Sequence, residues 1–382
     1  MPSKTKLYGS FLLLTGLLLL AYGLPPRYDY SPPKPFHGQG WYNPFEGESL
    51  RWSRANFHIH SRTWGGLTEG RQSPPEIQAA YQKLGFAWIG ISDYQQVNPQ
   101  SPIPLYEHGW SVKKVHQLCF WPKEVVWVDF PLPQTRGMKQ AILARLRPTT
   151  PFLVLAHPHF LHSYSGSDLA QLGGYDAVEV LNRYGDSVAE WDSALSSGHY
   201  APILAHDNVH DVTNPHELMS RWTEVALPAG ASQEALQEAL RAGRTVGYKN
   251  RTPAPITSAY PQLARVAFTG ETLLVQLTFP ADSLRLIGQG GKVRAVAYQT
   301  DRLAYLPQPS DTYLRLEAFT AAVELYASPL VRGHPARRGI PPVAWGATLL
   351  QWLLVALPGL WLTGIGVRKL FVRRARPTSA TQ

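Results

Sequence analysis

Two long apolar stretches bracket the chain, and the alternation of polar and apolar positions between them falls into two textures. Residues 7–24 are apolar almost throughout, and residues 343–367 carry no charge. Each is about the length that a helix needs to cross a bilayer. From about residue 56 to residue 247, short apolar runs predict strands at 56–60, 86–92, 125–130, 152–156, 177–181, 202–205 and 222–227. Helical periodicity fills much of the space between them. One helix is expected after Ser73 and stops at Gly85; others cover 138–145, 187–195 and 233–242. Ser73 and Ser232 are suited to cap the first and last of these, Pro74 or Pro75 fits a first turn, and Gly243 supplies a stop. Repeated strand-then-helix units predict a parallel sheet, here closed into a barrel. After Pro253 the texture changes. Runs at 264–268, 273–279, 293–298, 313–318 and 323–326 predict short strands of a small all-β domain.

The division that follows is a membrane anchor or signal segment (1–27), a Pro-rich linker (28–53), the main domain (54–252), the β domain (253–332), a second linker (333–342), a transmembrane helix (343–367) and a basic tail (368–382). A cleaved signal peptide competes for the first segment, because Ala21-Tyr22-Gly23 offers small residues to a peptidase; an uncleaved anchor is preferred. Charge refines the picture. The formal net charge is +9, but Lys4, Lys6, Arg368, Lys369, Arg373, Arg374 and Arg376 at the two ends account for seven of it. The remaining 29 basic and 27 acidic residues nearly balance, so no phosphate-tracking surface and no nucleic-acid partner is expected. Basic residues flanking both apolar stretches predict two spans with both termini cytoplasmic and the main domain outside. One cysteine, Cys119, excludes an internal disulfide framework.

Histidine is the telling bias: eleven of the thirteen fall between His58 and His216. His58 and His60 are one residue apart, so on a strand they point to the same face. Such a pair is half of a metal site, or two ordinary half-buried residues. Other polar side chains sit at predicted strand ends, where a βα barrel places its function. These are Asp93, His157, Glu179 with Asn182, and Asp207 with Asn208 and His210, while Glu107 and His116 lie in a less regular stretch.

This arrangement, from about 56 to 247, resembles the PHP (polymerase and histidinol phosphatase) superfamily of metal-dependent phosphoesterases. The resemblance is carried by His58-Ile59-His60-Ser61, Ile91-Ser92-Asp93, Glu107 followed by His116, Leu155-Ala156-His157-Pro158 and Asp207-Asn208-Val209-His210. The helix at 233–242 with Arg244 looks like the last helix of the envelope-associated branch. In that branch a small β domain follows, and residues 286–291 and 313–315 look like its landmarks. The resemblance implies a distorted barrel of seven βα units, with His58, His60 and Glu107 on one metal and Glu107, His116 and His157 on a second. It also implies a metal-activated hydroxide that attacks the phosphorus of a phosphorylated small molecule. Asp93, Glu107 and His210 are the catalytic candidates. Independently of the resemblance, Arg62, Arg183 and Lys249 could clamp a phosphate near the mouth or be ordinary exposed cations, Tyr94 could meet the substrate or only fill space, and His159 could support a ligand.

Departures from the family pattern narrow this expectation. Asp93-Tyr94 stands where Asp-His is usual, Gly65-Gly66 stand where another ligand falls, and Asn208 replaces a carboxylate as a neutral and weaker metal ligand. One or two divalent ions (Zn, Mn or Fe) are therefore expected, with a catalytically degenerate barrel that binds a ligand or a partner in the cell envelope as the alternative.

Overall fold

The computed structural model describes residues 4–46, 51–228, 230–252 and 254–371. Arg373, Arg374 and Arg376 of the basic tail, Pro253 at the change of texture and the 47–50 part of the first linker lie outside these residues. Two compact units account for the chain: one from residues 1–30, 135–141 and 341–382, the other from 31–134 and 142–340.

In the first unit, Lys4–Gly23 and Trp345–Phe371 are helices long and apolar enough to cross a membrane. They pack antiparallel, because Gly9, Gly16 and Gly23 meet the second helix near Gly366, Gly359 and Val355 in turn. A Cβ at Gly16 would run into Thr363 and the Gly359 carbonyl, so bare backbone is what permits the approach. A π-helical turn at Trp352–Ala356 precedes Pro358, whose ring cannot donate to the turn before it. The Pro-rich approaches are not independent spacers. Tyr28 bridges Val343, and Asp29 N–H donates to the Pro342 carbonyl at 2.9 Å.

The second unit overturns the barrel and the separate β domain. Its strands form two sheets, and neither closes. The larger has eleven strands. Its main path runs Trp41–Tyr42, Leu330–Arg332, Tyr313–Phe319, Val323–Ala327, Thr245–Asn250, Arg221–Ala226, Trp52–Asn56 and Phe86–Ile89. Leu263–Thr269, Thr272–Gly288 and Lys292–Tyr305 join through the pairing of Thr272–Gly288 with Tyr313–Phe319. The smaller sheet has five strands in chain order: Leu105–His108, Gln117–Phe120, Phe152–Leu155, Ala177–Asn182 and Ile203–His206.

Local chemistry explains why the sheets stay open. The two strands at 105–108 and 117–120 are an antiparallel hairpin where a βα unit was expected, and Arg221–Ala226 returns antiparallel along Trp52–Asn56. Where Ile203–His206 nears Arg221–Ala226, the Thr223 hydroxyl accepts from Ala205 N–H and donates to Ala205 C=O, both at 2.9 Å. A side chain thus takes the partners that a closing strand would use. The other margin has only the single bridge between Tyr94 and Glu107. The C-terminal strands continue the larger sheet, since Val323–Ala327 pairs with Thr245–Asn250. One core accordingly runs from Ile59, Trp222 and Tyr248 to Leu286 and Leu316.

Several expected elements are present. Pro74–Lys83 opens with Ser73 N–H donating to Glu76 Oε2 at 2.7 Å, and Gln233–Ala242 ends on Gly243 at φ +78°. Residues 125–130 are not a strand; they form a loop in which Val126 N–H donates to the Tyr106 hydroxyl. The first strand ends at Asn56, so His58 and His60 project from its extended continuation, held by an Ile59–Val209 bridge.

Candidate metal centre

Phe57–Ser61 leaves the larger sheet while Leu105–His108 forms the margin of the smaller one, and the two meet around Glu107. Because side chains alternate along the strand, Glu107 and His108 face opposite ways. His108 is spent on structure, with Nδ1 at 2.6 Å from Gln117 Oε1 and Nε2 at 3.1 Å from the Val128 carbonyl. Glu107 faces four histidines. Its Oε1 lies 2.6 Å from His116 Nδ1, 3.2 Å from His157 Nε2 and 3.3 Å from His58 Nε2, and its Oε2 lies 3.2 Å from His60 Nε2. All five residues are buried.

This set has more buried ligand atoms than hydrogen bonds. His58 Nε2, both ring nitrogens of His60, Glu107 Oε2, His116 Nε2 and His157 Nδ1 have no hydrogen-bond partner. Leaving a buried polar atom unsatisfied costs about 1–3 kcal/mol, and a cation is one partner that would relieve it. Two groups, His58–His60–Glu107 and Glu107–His116–His157, each bring their ligand atoms within 4.8 Å of one another and can hold a metal ion. They share Glu107.

A third group, His58–His157–Glu179, also meets that distance. Glu179 is already committed, however. Its Oε1 lies 2.9 Å from both His58 Nδ1 and His206 Nδ1, and its Oε2 accepts from His157 N–H at 2.9 Å. It fixes His58 with Nδ1 turned away from Glu107, which leaves Nε2 for an ion. Burial alone would push His58 down, but the Glu179 and Glu107 carboxylates outweigh it and raise its pKa to about 10. Glu107 would be raised by burial, but the His116 and His58 charges hold it well below the usual carboxylate range. Burial lowers His116 despite Glu107 beside it.

The remaining expected residues divide. Asp93 is at the centre's edge, but its oxygens accept from Ser61 N–H (2.8 Å), Ser61 Oγ (2.7 Å) and Asn98 Nδ2 (2.8 Å), so it shapes the turn after His60. Asp207 is the hub for Asn56, Tyr81, Met219, Ser220 and Arg221, with no oxygen to spare. Asn208 has φ +50° and a buried Oδ1 without a partner. His210 stacks on His60 at 4.5 Å, and burial, then His60 and Arg183, push its pKa down to about 2. Tyr94 stacks on the opposite neighbour side of the same ring set, at 4.4 Å from His60 and edge-on to His116 at 5.7 Å. Arg183 pairs with Glu217 at 3.0 Å and lies over Tyr184, whereas Arg62 is exposed and acts on Glu76. Lys249 is held by Asp186 at 2.7 Å, and His159 by Glu190 at 3.2 Å. Cys119 is buried in the core, and burial pushes its thiol up to about 12.

Sequence reasoning missed Gly109 and Gln95. Gly109 has φ +120°, and a Cβ there would lie 2.7 Å from His116 Cδ2, so only glycine lets that ring settle. Gln95 is buried beside Tyr94 with neither side-chain atom hydrogen-bonded. No family model, curated protein or solved structure matches the chain.

Proposed function

We propose that this chain is a membrane-anchored, metal-dependent hydrolase of phosphate esters. The observation that carries the reading is the sharing of Glu107 between two buried ligand groups. His58, His60 and Glu107 would hold one ion, and Glu107, His116 and His157 a second; the all-nitrogen-and-carboxylate donor set suits Zn, Mn or Fe. A bound divalent metal supplies a lowered pKa for water and a counter-charge for the phosphoryl oxygens. The residues of the chain do the rest. Glu179 sets the orientation of His58, while Tyr94 and His210 pack the His60 ring in place. Arg183, beside Tyr184 and His210, offers a cation to a phosphorylated small molecule. Hydrolysis forms one P–O bond from water and breaks the ester P–O bond, and the leaving oxygen takes up the proton that water gives up.

A second reading is favoured by Tyr94 and Asn208, which stand where the PHP resemblance calls for ligands: a site that binds metal and ligand without turnover. Elemental analysis and hydrolysis of 4-nitrophenyl phosphate by the full chain in detergent separate the two. At least about one metal per chain and a turnover lost in Glu107→Ala are expected, while less than about half a metal after reconstitution would sink both readings. Metal without turnover would leave only the second.

For topology, the antiparallel helix pair supports two spans with both ends on one side, and Lys4, Lys6, Arg368 and Lys369 support the cytoplasmic side. A reporter fused after Gln382 should be active only in the cytoplasm; activity outside would overturn the orientation.

A further inference from the structure

A cavity of about 480 Å³ opens against His116 and Tyr94, with walls formed by Trp64, Trp110 and Trp127. We propose that it is a subsite for a planar aromatic group with a polar edge, esterified to the anionic centre that the metal ions would receive. This rests on the function proposed above and names the class of substrate.

Four observations converge on it. The three tryptophans are 43%, 53% and 57% exposed, an apolar surface that a soluble loop has no reason to gather. They are also positioned: Trp64 Nε1 donates to the Tyr94 carbonyl at 2.8 Å, and the Trp64 and Trp127 rings meet edge to face at 6.0 Å. Gln95 lines the same cavity at 7% exposure, and both its Oε1 and its Nε2 lack a partner. A buried carboxamide with both ends unused is matched by a ligand edge that donates and accepts. Finally, Trp64, Gln95 and Lys114 hold φ of +51°, +51° and +53°, a conformation that non-glycine residues adopt at some cost and that clusters at working sites.

The occupant follows from charge and continuity. Lys114 Nζ lies 5.9 Å from the Tyr94 ring centre and is the cation on this wall, so the anionic part of the ligand belongs near it. His116 lines the cavity, and its Nδ1 lies 2.6 Å from Glu107 Oε1, so the cavity adjoins the ligand groups around Glu107. An ester that reaches the ions from this side places its ring among the tryptophans.

The test is calorimetric titration of the metal-stripped full chain in detergent with three probes: ethyl phosphate, phenyl phosphate and 4-carbamoylphenyl phosphate. Phenyl phosphate should bind at least about tenfold more tightly than ethyl phosphate, as aromatic contacts of this kind allow. Trp127→Ala should bind the two alike, and Lys114→Ala should weaken both. The carbamoyl probe should exceed phenyl phosphate, and Gln95→Leu should erase that advantage. Equal binding of ethyl and phenyl phosphate, or a preference untouched by Trp127→Ala, would overturn the subsite; the second result would mean that another surface takes the ring. If the loaded protein hydrolyses alkyl and aryl esters alike, the subsite falls and the hydrolase stands. If the aromatic preference appears in a protein that takes up no metal, the subsite stands and the hydrolase falls.

Discussion

Glu107 and Asp192 are carboxylates buried in the same unit, and their surroundings differ in one respect. Around Asp192 every strong group is matched. Tyr313 and Arg315 Nε donate to Oδ1 at 2.8 Å, Arg315 NH2 donates to Oδ2 at 2.7 Å, and Arg315 NH1 reaches Glu317 at 2.5 Å. Arg315 also lies over the Trp191 ring at 4.9 Å. Around Glu107, by contrast, ring nitrogens outnumber their partners. The first network ties Val188–Ser196 to the strand Tyr313–Phe319 and is complete in the protein alone. The second has the atoms to hold a cation. Burial of charge therefore does not distinguish the two; an excess of unmatched donors and acceptors does.

The sharpest way to break this comparison is Arg315→Met. It strands Asp192 without its partner and should destabilise the protein by about 3–5 kcal/mol, equally with and without metal. Chemical denaturation in both states measures it, and a loss that metal reverses would show the two networks to be coupled. A smaller effect separates a structural histidine from the ligand histidines. His199 stacks on Tyr175 at 4.0 Å, and burial, then the nearby Arg338, lower its pKa to about 3. It stays neutral in the fold while the unfolded chain takes up a proton below about pH 6.5. Stability is thus fully present above that pH and falls with acid, by about 2–3 kcal/mol between about pH 7 and pH 4.5. His199→Phe should lose this part of the acid slope; an unchanged slope would assign it elsewhere. The smallest effect is expected at Gly109→Ala. Strain at φ +120° and the contact with His116 should cost about 1–3 kcal/mol. Because His116 is displaced, metal affinity should also drop about 10–100-fold. Loss of stability with metal affinity intact would remove His116 from the ligand set.

Much of this was legible in the sequence where local signals sufficed. Helix 233–242 carries its own cap and stop, and the chain obeys them. The spacing of His58 and His60 holds although the strand ends before them, because the bridge of Ile59 to Val209 keeps the backbone extended. The hairpin at 105–120 was hidden by strands of four residues set among prolines. Whether the sheets close depends on where the Thr223 hydroxyl spends its hydrogen bonds, and no pattern of apolar positions records that. Asp93 and Asp207 show the same limit within the site. An acid after a strand looks alike in sequence whether it accepts from backbone N–H groups or holds a metal. Gln95, Trp110 and Trp127 gave no signal because they sit on loops, and Trp64 because it opens a single 3-10 turn, too short for any periodicity.

The glycine-lined helix pair has a consequence for how the protein is made. The face of Lys4–Gly23 that carries Gly9, Gly16 and Gly23 meets a partner that follows every strand of both sheets in the chain. All the strands of both sheets are translated between the two helices, so the glycine face of the first is made well before the surface it meets. Pairing of the two helices closes the intervening strands into one loop of chain.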